Sequence, residues 1–124
     1  EIMPSLVGSE MCIRDRLHRA LLFRAKKWLE GQGYTVEIPE QGGRYEQPDM
    51  IAKPGNGGRE IAVEVETSAN HPEQIRRNYE KNIKLGRFVV FVVPDKEVER
   101  KVKESLRNAG RRVGIYRIET CTRI

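Results

Sequence analysis

The stretch EIAVEVET, residues 60–67, decides the fold, because it combines a strand pattern with two closely spaced carboxylates. Its side chains alternate with a period of two, which is typical of a β-strand. One face of this strand carries the residues that we expect in the core, Ile61, Val63 and Val65. The other face carries Glu64 and Glu66 beside Ala62, so the chain places two acidic groups together on one strand.

Upstream of this strand, the sequence predicts one helix and two further strands. Residues 17–30 have apolar side chains at helical spacing. The predicted buried face of this helix is Leu17, Leu21, Ala25, Trp28 and Leu29. Alternation predicts strands over 34–38 and 49–53. The glycine-rich turn at 54–58 joins the latter to the strand over 60–67, and this arrangement predicts a hairpin.

Downstream, helices alternate with strands. A helix is predicted over 72–85, and the apolar run over 87–93 is typical of a strand buried on both faces. Asp95 is expected to cap a third helix that Gly110 closes, and 112–118 form a last strand. The residues that face inward from the two helices are Ile75, Tyr79, Ile83, Val98, Val102 and Leu106. The order αβββαβαβ predicts an α/β fold with a mixed central sheet flanked by helices.

Residues 5–16, SLVGSEMCIRDR, share no pattern with the rest of the chain and resemble a translated sequencing adapter. Such segments are set aside before a fold is derived. We therefore expect residues 1–16 to be non-native. Residues 17–124 are expected to form one domain whose native start is truncated.

The charge balance favours an anionic partner. The chain has 23 Lys and Arg against 18 Asp and Glu, and the net charge of +5 rises to +6 for residues 17–124. Nucleic acid is the common partner of a basic domain, although such a charge also serves solubility. Cys121 is the one cysteine of residues 17–124, which excludes a disulfide framework there and predicts a cytoplasmic protein. No apolar run approaches the ~20 residues of a membrane span, so no membrane partner is expected.

Three carboxylates form the candidate site. The predicted hairpin brings Asp49 beside Glu64, with Glu66 two residues further on. Gathered carboxylates repel one another unless something neutralises them, and Mg²⁺ prefers such hard oxygen ligands. The alternative is that Glu64 and Glu66 form the solvent face of an edge strand, which alternation alone would also produce.

The segment Pro48-Asp49 … Glu64-Val65-Glu66 and the element order resemble the PD-(D/E)xK nuclease superfamily, from Leu17 to about Val93. This resemblance implies a restriction-endonuclease-like domain that hydrolyses phosphodiester bonds of DNA with Mg²⁺ or Mn²⁺. It implies Asp49, Glu64 and the backbone carbonyl of Val65 as metal ligands. The superfamily pattern has a lysine where this chain has Glu66.

That departure has two precedents in the superfamily. In an E-x-E form, the second glutamate acts on the water or on a second metal, which implies a catalytic role for Glu66. In other members the lysine has moved to the following helix, where Lys81 lies three residues after Asn78 and shares its helix side. The implied catalytic residues are therefore Asp49, Glu64, Glu66 and Lys81.

The segments IAVEVET, HPEQIRRNYEKNIKLG and FVVFVVPDKEV are similar to a nuclease-like module of archaeal and mobile-element proteins, often attached to DNA-translocating ATPases. This similarity implies DNA as a partner, an ATPase upstream or separate, and pairing of two copies to cut two strands. The residues expected to contact phosphates are Arg19, Lys26, Arg76, Arg77 and Lys84.

Two other functions remain open at this stage. Without the lysine, the fold can serve as a catalytically inactive module that binds DNA or regulates a partner ATPase. The domain can also bind proteins and no nucleic acid, since a fold does not fix a function. His71 is expected to be a loop or capping residue rather than a catalytic base, and His18 is expected on the helix surface or in its first turn.

Overall fold

The computed structural model describes residues 13–39, 47–107 and 113–118. The predicted order αβββαβαβ is confirmed across these residues, and the fold is α/β. The helices are α1 (Ile13–Gly31), α2 (Pro72–Lys84) and α3 (Lys96–Ser105). The strands are β1 (Thr35–Glu37), β2 (Met50–Lys53), β3 (Ile61–Val65), β4 (Phe88–Val93) and β5 (Val113–Arg117). Gly110 and Cys121 lie outside the described residues.

The strands form one mixed sheet in the order β1-β2-β3-β4-β5. The β1–β2 and β2–β3 pairs are antiparallel, which confirms the predicted hairpin, and the β3–β4 and β4–β5 pairs are parallel. Parallel neighbours need a crossover connection. The helices α2 and α3 supply the two crossovers, so both follow a carboxyl end of a strand.

The core consists of two clusters, one on each face of the sheet. The residues Val63 and Val65 of β3 pack with Leu21 and Ala25 of α1 on the first face. On the second face, α2 and α3 pack against alternate residues of β4, Val89, Phe91 and Val93. The remaining β4 residues, Val90 and Val92, join the α1 cluster. Burial of β4 on both faces is therefore confirmed.

Two boundary predictions and one burial prediction were wrong. Helix α1 begins at Ile13 because the last residues of the 1–16 segment contain no glycine or proline that would end it. Trp28, predicted to be buried, is 38% exposed because it lies at the margin of the buried face of α1. Strand β3 ends at Val65, two residues before the predicted end, and the N–H of Glu66, which follows the strand, still pairs with β4.

The N-terminus of α3 provides a test of local stability. The Val98 N–H donates a 2.9 Å hydrogen bond to Asp95 Oδ1, which satisfies one of the unpaired amides of the first turn. We expect Asp95→Ala to lower the free energy of unfolding by ~1 kcal/mol, as measured by urea denaturation. Asp95→Asn keeps an accepting oxygen and is expected to match the unsubstituted protein. Equal losses in both variants would contradict this role.

Candidate functional site

Asp49 is held against the carboxyl end of β3. Because Met50 pairs with Val63 in the antiparallel register, Asp49 lies level with Glu64. Its Oδ2 accepts a 2.8 Å hydrogen bond from the Val65 N–H. The half-buried Asp49 carboxylate is therefore fixed beside the peptide that links Glu64 to the residues after β3.

Pro48 shapes the same end of the hairpin. The Glu66 N–H donates to the Val92 carbonyl oxygen of β4 at 3.0 Å, so the backbone of the preceding residue, Val65, faces β2. In the β2–β3 register, Pro48 is the residue across from Val65, and proline has no N–H. The Val65 carbonyl oxygen therefore receives no hydrogen bond from the nitrogen of residue 48.

Glu64 lies on the opposite face from α1 and is buried against α2. The Asn82 Nδ2 donates to Glu64 Oε2 at 3.4 Å and to the Asn78 carbonyl oxygen at 2.9 Å. Asn82 is fully buried, and its Oδ1 accepts a 3.0 Å hydrogen bond from Arg87 Nη1. Because arginine only donates, Arg87 fixes which side of the Asn82 amide faces Glu64.

Burial and mutual repulsion shift the pKa values of both glutamates. Burial, followed by repulsion from Asp49 and Glu66, raises the pKa of Glu64 from 4.5 to about 8, against the opposing effects of Lys81 and Asn82. Burial and repulsion from Asp49 raise the pKa of Glu66 to about 7, against the opposing effect of His18. Both glutamates are therefore shifted first by burial and second by the negative charge of Asp49.

Sequence reasoning missed two residues of this site. His18 Nε2 lies 3.4 Å from Asp49 Oδ2, although this histidine was expected on the helix surface. It precedes the buried Leu21 by three residues, and this spacing puts both on one side of α1. Asn82 follows Tyr79 by three residues and shares its buried side of α2. Helical periodicity therefore indicated both positions.

Lys81 and His71 differ in their relation to the site. Lys81 is half-buried on α2, and its charge acts on Glu64, so the lysine predicted from the helix lies near the carboxylates. His71 is the exposed N-cap residue of α2 and makes no side-chain capping bond. Its carbonyl oxygen accepts from the Ile75 N–H at 3.2 Å. His71 is thus a capping-position residue, as expected.

The five residues expected to contact phosphates lie on two different faces of the sheet. Arg19 and Lys26 belong to α1, and the ammonium of Lys26 lies 2.9 Å from Glu30 Oε2. The other three, Arg76, Arg77 and Lys84, belong to α2 on the opposite face. Arg77 Nη1 donates to Gln74 Oε1 at 2.8 Å. One flat contact surface for all five residues is therefore inconsistent with the fold.

Comparisons with protein families, with curated proteins and with solved structures find no match to this chain. Among the described residues, no group of three or more His, Cys, Asp or Glu side chains is placed to hold a metal ion. No helix within residues 13–39, 47–107 and 113–118 has the length and apolar character needed to cross a membrane. Functional interpretation therefore depends on the geometry and electrostatics of the carboxylates.

Proposed function

We propose that this chain hydrolyses phosphodiester bonds of DNA with Mg²⁺ or Mn²⁺ held by Asp49, Glu64 and the Val65 carbonyl oxygen. One observation supports this most strongly. The 2.8 Å hydrogen bond from the Val65 N–H to Asp49 Oδ2 brings the aspartate that precedes β2 to the carboxyl end of β3, where the glutamates lie, as the PD-(D/E)xK resemblance implies. Burial, followed by repulsion from Asp49, gives these glutamates raised pKa values, which a cation would reverse.

The donor set fits Mg²⁺ in chemistry and number. Mg²⁺ in proteins is usually bound by one or two carboxylates, with water and phosphate oxygens completing its shell. Asp49, Glu64 and one carbonyl oxygen meet this requirement without a third carboxylate. When bound, the ion supplies positive charge at the phosphate and lowers the pKa of a water molecule.

Three neighbouring side chains have separate roles in the proposed reaction. Glu66 is half-buried near Asp49, and when a bound cation keeps it ionised, its carboxylate can accept the proton of the attacking water. Lys81 offers a cation beside Glu64, where it can offset charge on a bound phosphate. His18 contacts Asp49 Oδ2 and orients that carboxylate. This arrangement corresponds to the E-x-E form of the site.

The resemblance adds partners to this proposal. They are DNA, a DNA-translocating ATPase upstream or separate, and a second copy of the chain to cut the second strand. A cytoplasmic location belongs to the same proposal. These points are supported by the similarity to the archaeal and mobile-element module and by the basic charge of the chain.

The direct test is conversion of supercoiled plasmid to the nicked circle by the full chain. Cleavage is expected with Mg²⁺ or Mn²⁺ and not with excess EDTA, because the carboxylates repel one another and the phosphate unless a cation neutralises them. Absence of cleavage with either metal, when DNA is still retained in a gel shift, would contradict hydrolysis and favour the inactive DNA-binding module.

Glu66→Lys separates these two functions further. We expect this variant to nick plasmid roughly 10²-fold more slowly than the unsubstituted chain, because it removes the proton acceptor. The same plasmid assay measures the effect. The opposite result would be an inactive unsubstituted chain and an active Glu66→Lys variant. That result would show that the domain is a nuclease fold that is inactive because Glu66 replaces the lysine.

A further inference from the structure

The outer side of α1 is strongly cationic. Between residues 17 and 31 it has four basic residues, Arg19, Arg24, Lys26 and Lys27, against the single carboxylate of Glu30. Glu30 is paired with Lys26. Within the described part of the chain, no carboxylate pairs with Arg24 or Lys27. The Lys27 ammonium instead lies 5.3 Å from the centroid of the Phe23 ring.

Aromatic rings continue this cationic surface toward the edge strand β5. Trp28 is 38% exposed, Tyr116 is 45% exposed, and their ring centroids lie 5.0 Å apart at an interplanar angle of 52°. Gly114 makes room for this pair, since a Cβ added there would lie only 3.1 Å from Tyr116 Cε2. The ring of Tyr116 therefore lies back along β5 and reaches Trp28 while remaining open to solvent.

We propose that the α1–β5 surface, formed by Phe23, Arg24, Lys27, Trp28 and Tyr116, binds single-stranded DNA. Exposed aromatic rings stack on bases of any sequence, and flanking cations contact the backbone phosphates. A single strand offers unpaired bases for this stacking, whereas a duplex keeps its bases in the helix. The unpaired charges of Arg24 and Lys27 favour this polyanion over an apolar protein partner.

This inference deepens the proposed function and depends on it for the direction of the bound strand. His18, beside Asp49, and Trp28 are ten residues apart on α1, a distance of about 15 Å along the helix. At a stacking distance of about 3.4 Å between bases, roughly four nucleotides would cover this distance. The strand that binds the α1–β5 surface can therefore extend along α1 to His18 and Asp49.

Trp28 makes the binding directly measurable, because it is the only tryptophan of the chain. We expect oligothymidylate of about twelve nucleotides to quench Trp28 fluorescence in EDTA at low salt, and added salt to weaken binding. Because EDTA removes the divalent metal ions that cleavage needs, the fluorescence measures binding alone. Quenching without any nicking in Mg²⁺ would contradict the proposed function alone, and nicking without quenching would contradict this surface alone.

Matched variants locate the binding. Tyr116→Leu is expected to weaken oligothymidylate binding roughly tenfold, whereas Tyr116→Phe keeps the ring and the affinity. Arg24→Ala is expected to reduce the salt slope by about 0.7, the value for one phosphate contact on a single strand. Arg100→Ala makes the same charge change on α3, across the sheet, and is expected to change nothing.

Two further results would overturn the proposal. The first is unchanged binding by Tyr116→Leu. The second is quenching of Trp28 fluorescence that depends on protein concentration rather than on oligothymidylate. This quenching would be absent in Tyr116→Leu, and sedimentation would detect dimers of the unsubstituted chain. That result would show that the surface binds a second copy of the chain.

Discussion

Replacement of Glu64 by glutamine is expected to abolish Mg²⁺-dependent nicking of plasmid DNA and to leave the fold intact. Glutamine has nearly the same size as glutamate, and its amide oxygen can still accept the Asn82 hydrogen bond. The substitution removes the buried negative charge that the cation would bind. Loss of several kcal/mol of transition-state stabilisation corresponds to a rate at least about 10³-fold lower.

Glu37→Gln is the matched control for this prediction. Glu37 lies on β1, where its Oε1 is 3.1 Å from the ammonium of Lys53 in an exposed ion pair. This variant makes the same change of charge outside the carboxylate group, and such exposed pairs contribute little to stability. Nicking by Glu37→Gln is expected to match that of the unsubstituted chain. Equal nicking by Glu64→Gln would place the activity in another site or in a contaminant.

Local patterns predicted most of the fold, because strand periodicity and chain order are local properties. The alternation over 60–67 correctly placed Val63 and Val65 in the core, and the turn at 54–58 correctly predicted the hairpin. The approach of Asp49 to Glu64 followed from that hairpin, since its register places the residue before Met50 level with Glu64.

The contacts across the sheet could not be predicted in the same way. Periodicity indicates which side of a helix is buried, but it does not tell which strand residue that side meets. For this reason His18 and Asn82 were missed, although each shares the buried side of its helix. The separation of Arg19 from Arg76 has another cause. Crossovers between parallel strands are right-handed, and this rule decides the face of the sheet on which α2 packs.

The metal-free protein is expected to lose stability as the pH rises from about 5 to about 8. The folded-state pKa of Glu64 is about 8, above its ordinary value of 4.5. Between these values the folded state binds a proton that the unfolded state has released, so unfolding becomes easier as the pH rises. The slope is at most ~1.4 kcal/mol per pH unit. The stability that the folded state gains by keeping Glu64 protonated is fully present below pH 4.5 and is lost above pH 8.

Urea denaturation in EDTA at pH 6 and pH 8 measures this loss, and Glu64→Gln assigns it. Because glutamine does not titrate, the variant is expected to be the more stable protein at pH 8 and to show a smaller slope, with Glu66 responsible for the remainder. Mg²⁺ is expected to stabilise the unsubstituted chain at pH 8, since a cation replaces the bound proton, and to leave Glu64→Gln unchanged. An equal slope in both proteins would show that Glu64 ionises without cost, and the buried carboxylate would then need no cation.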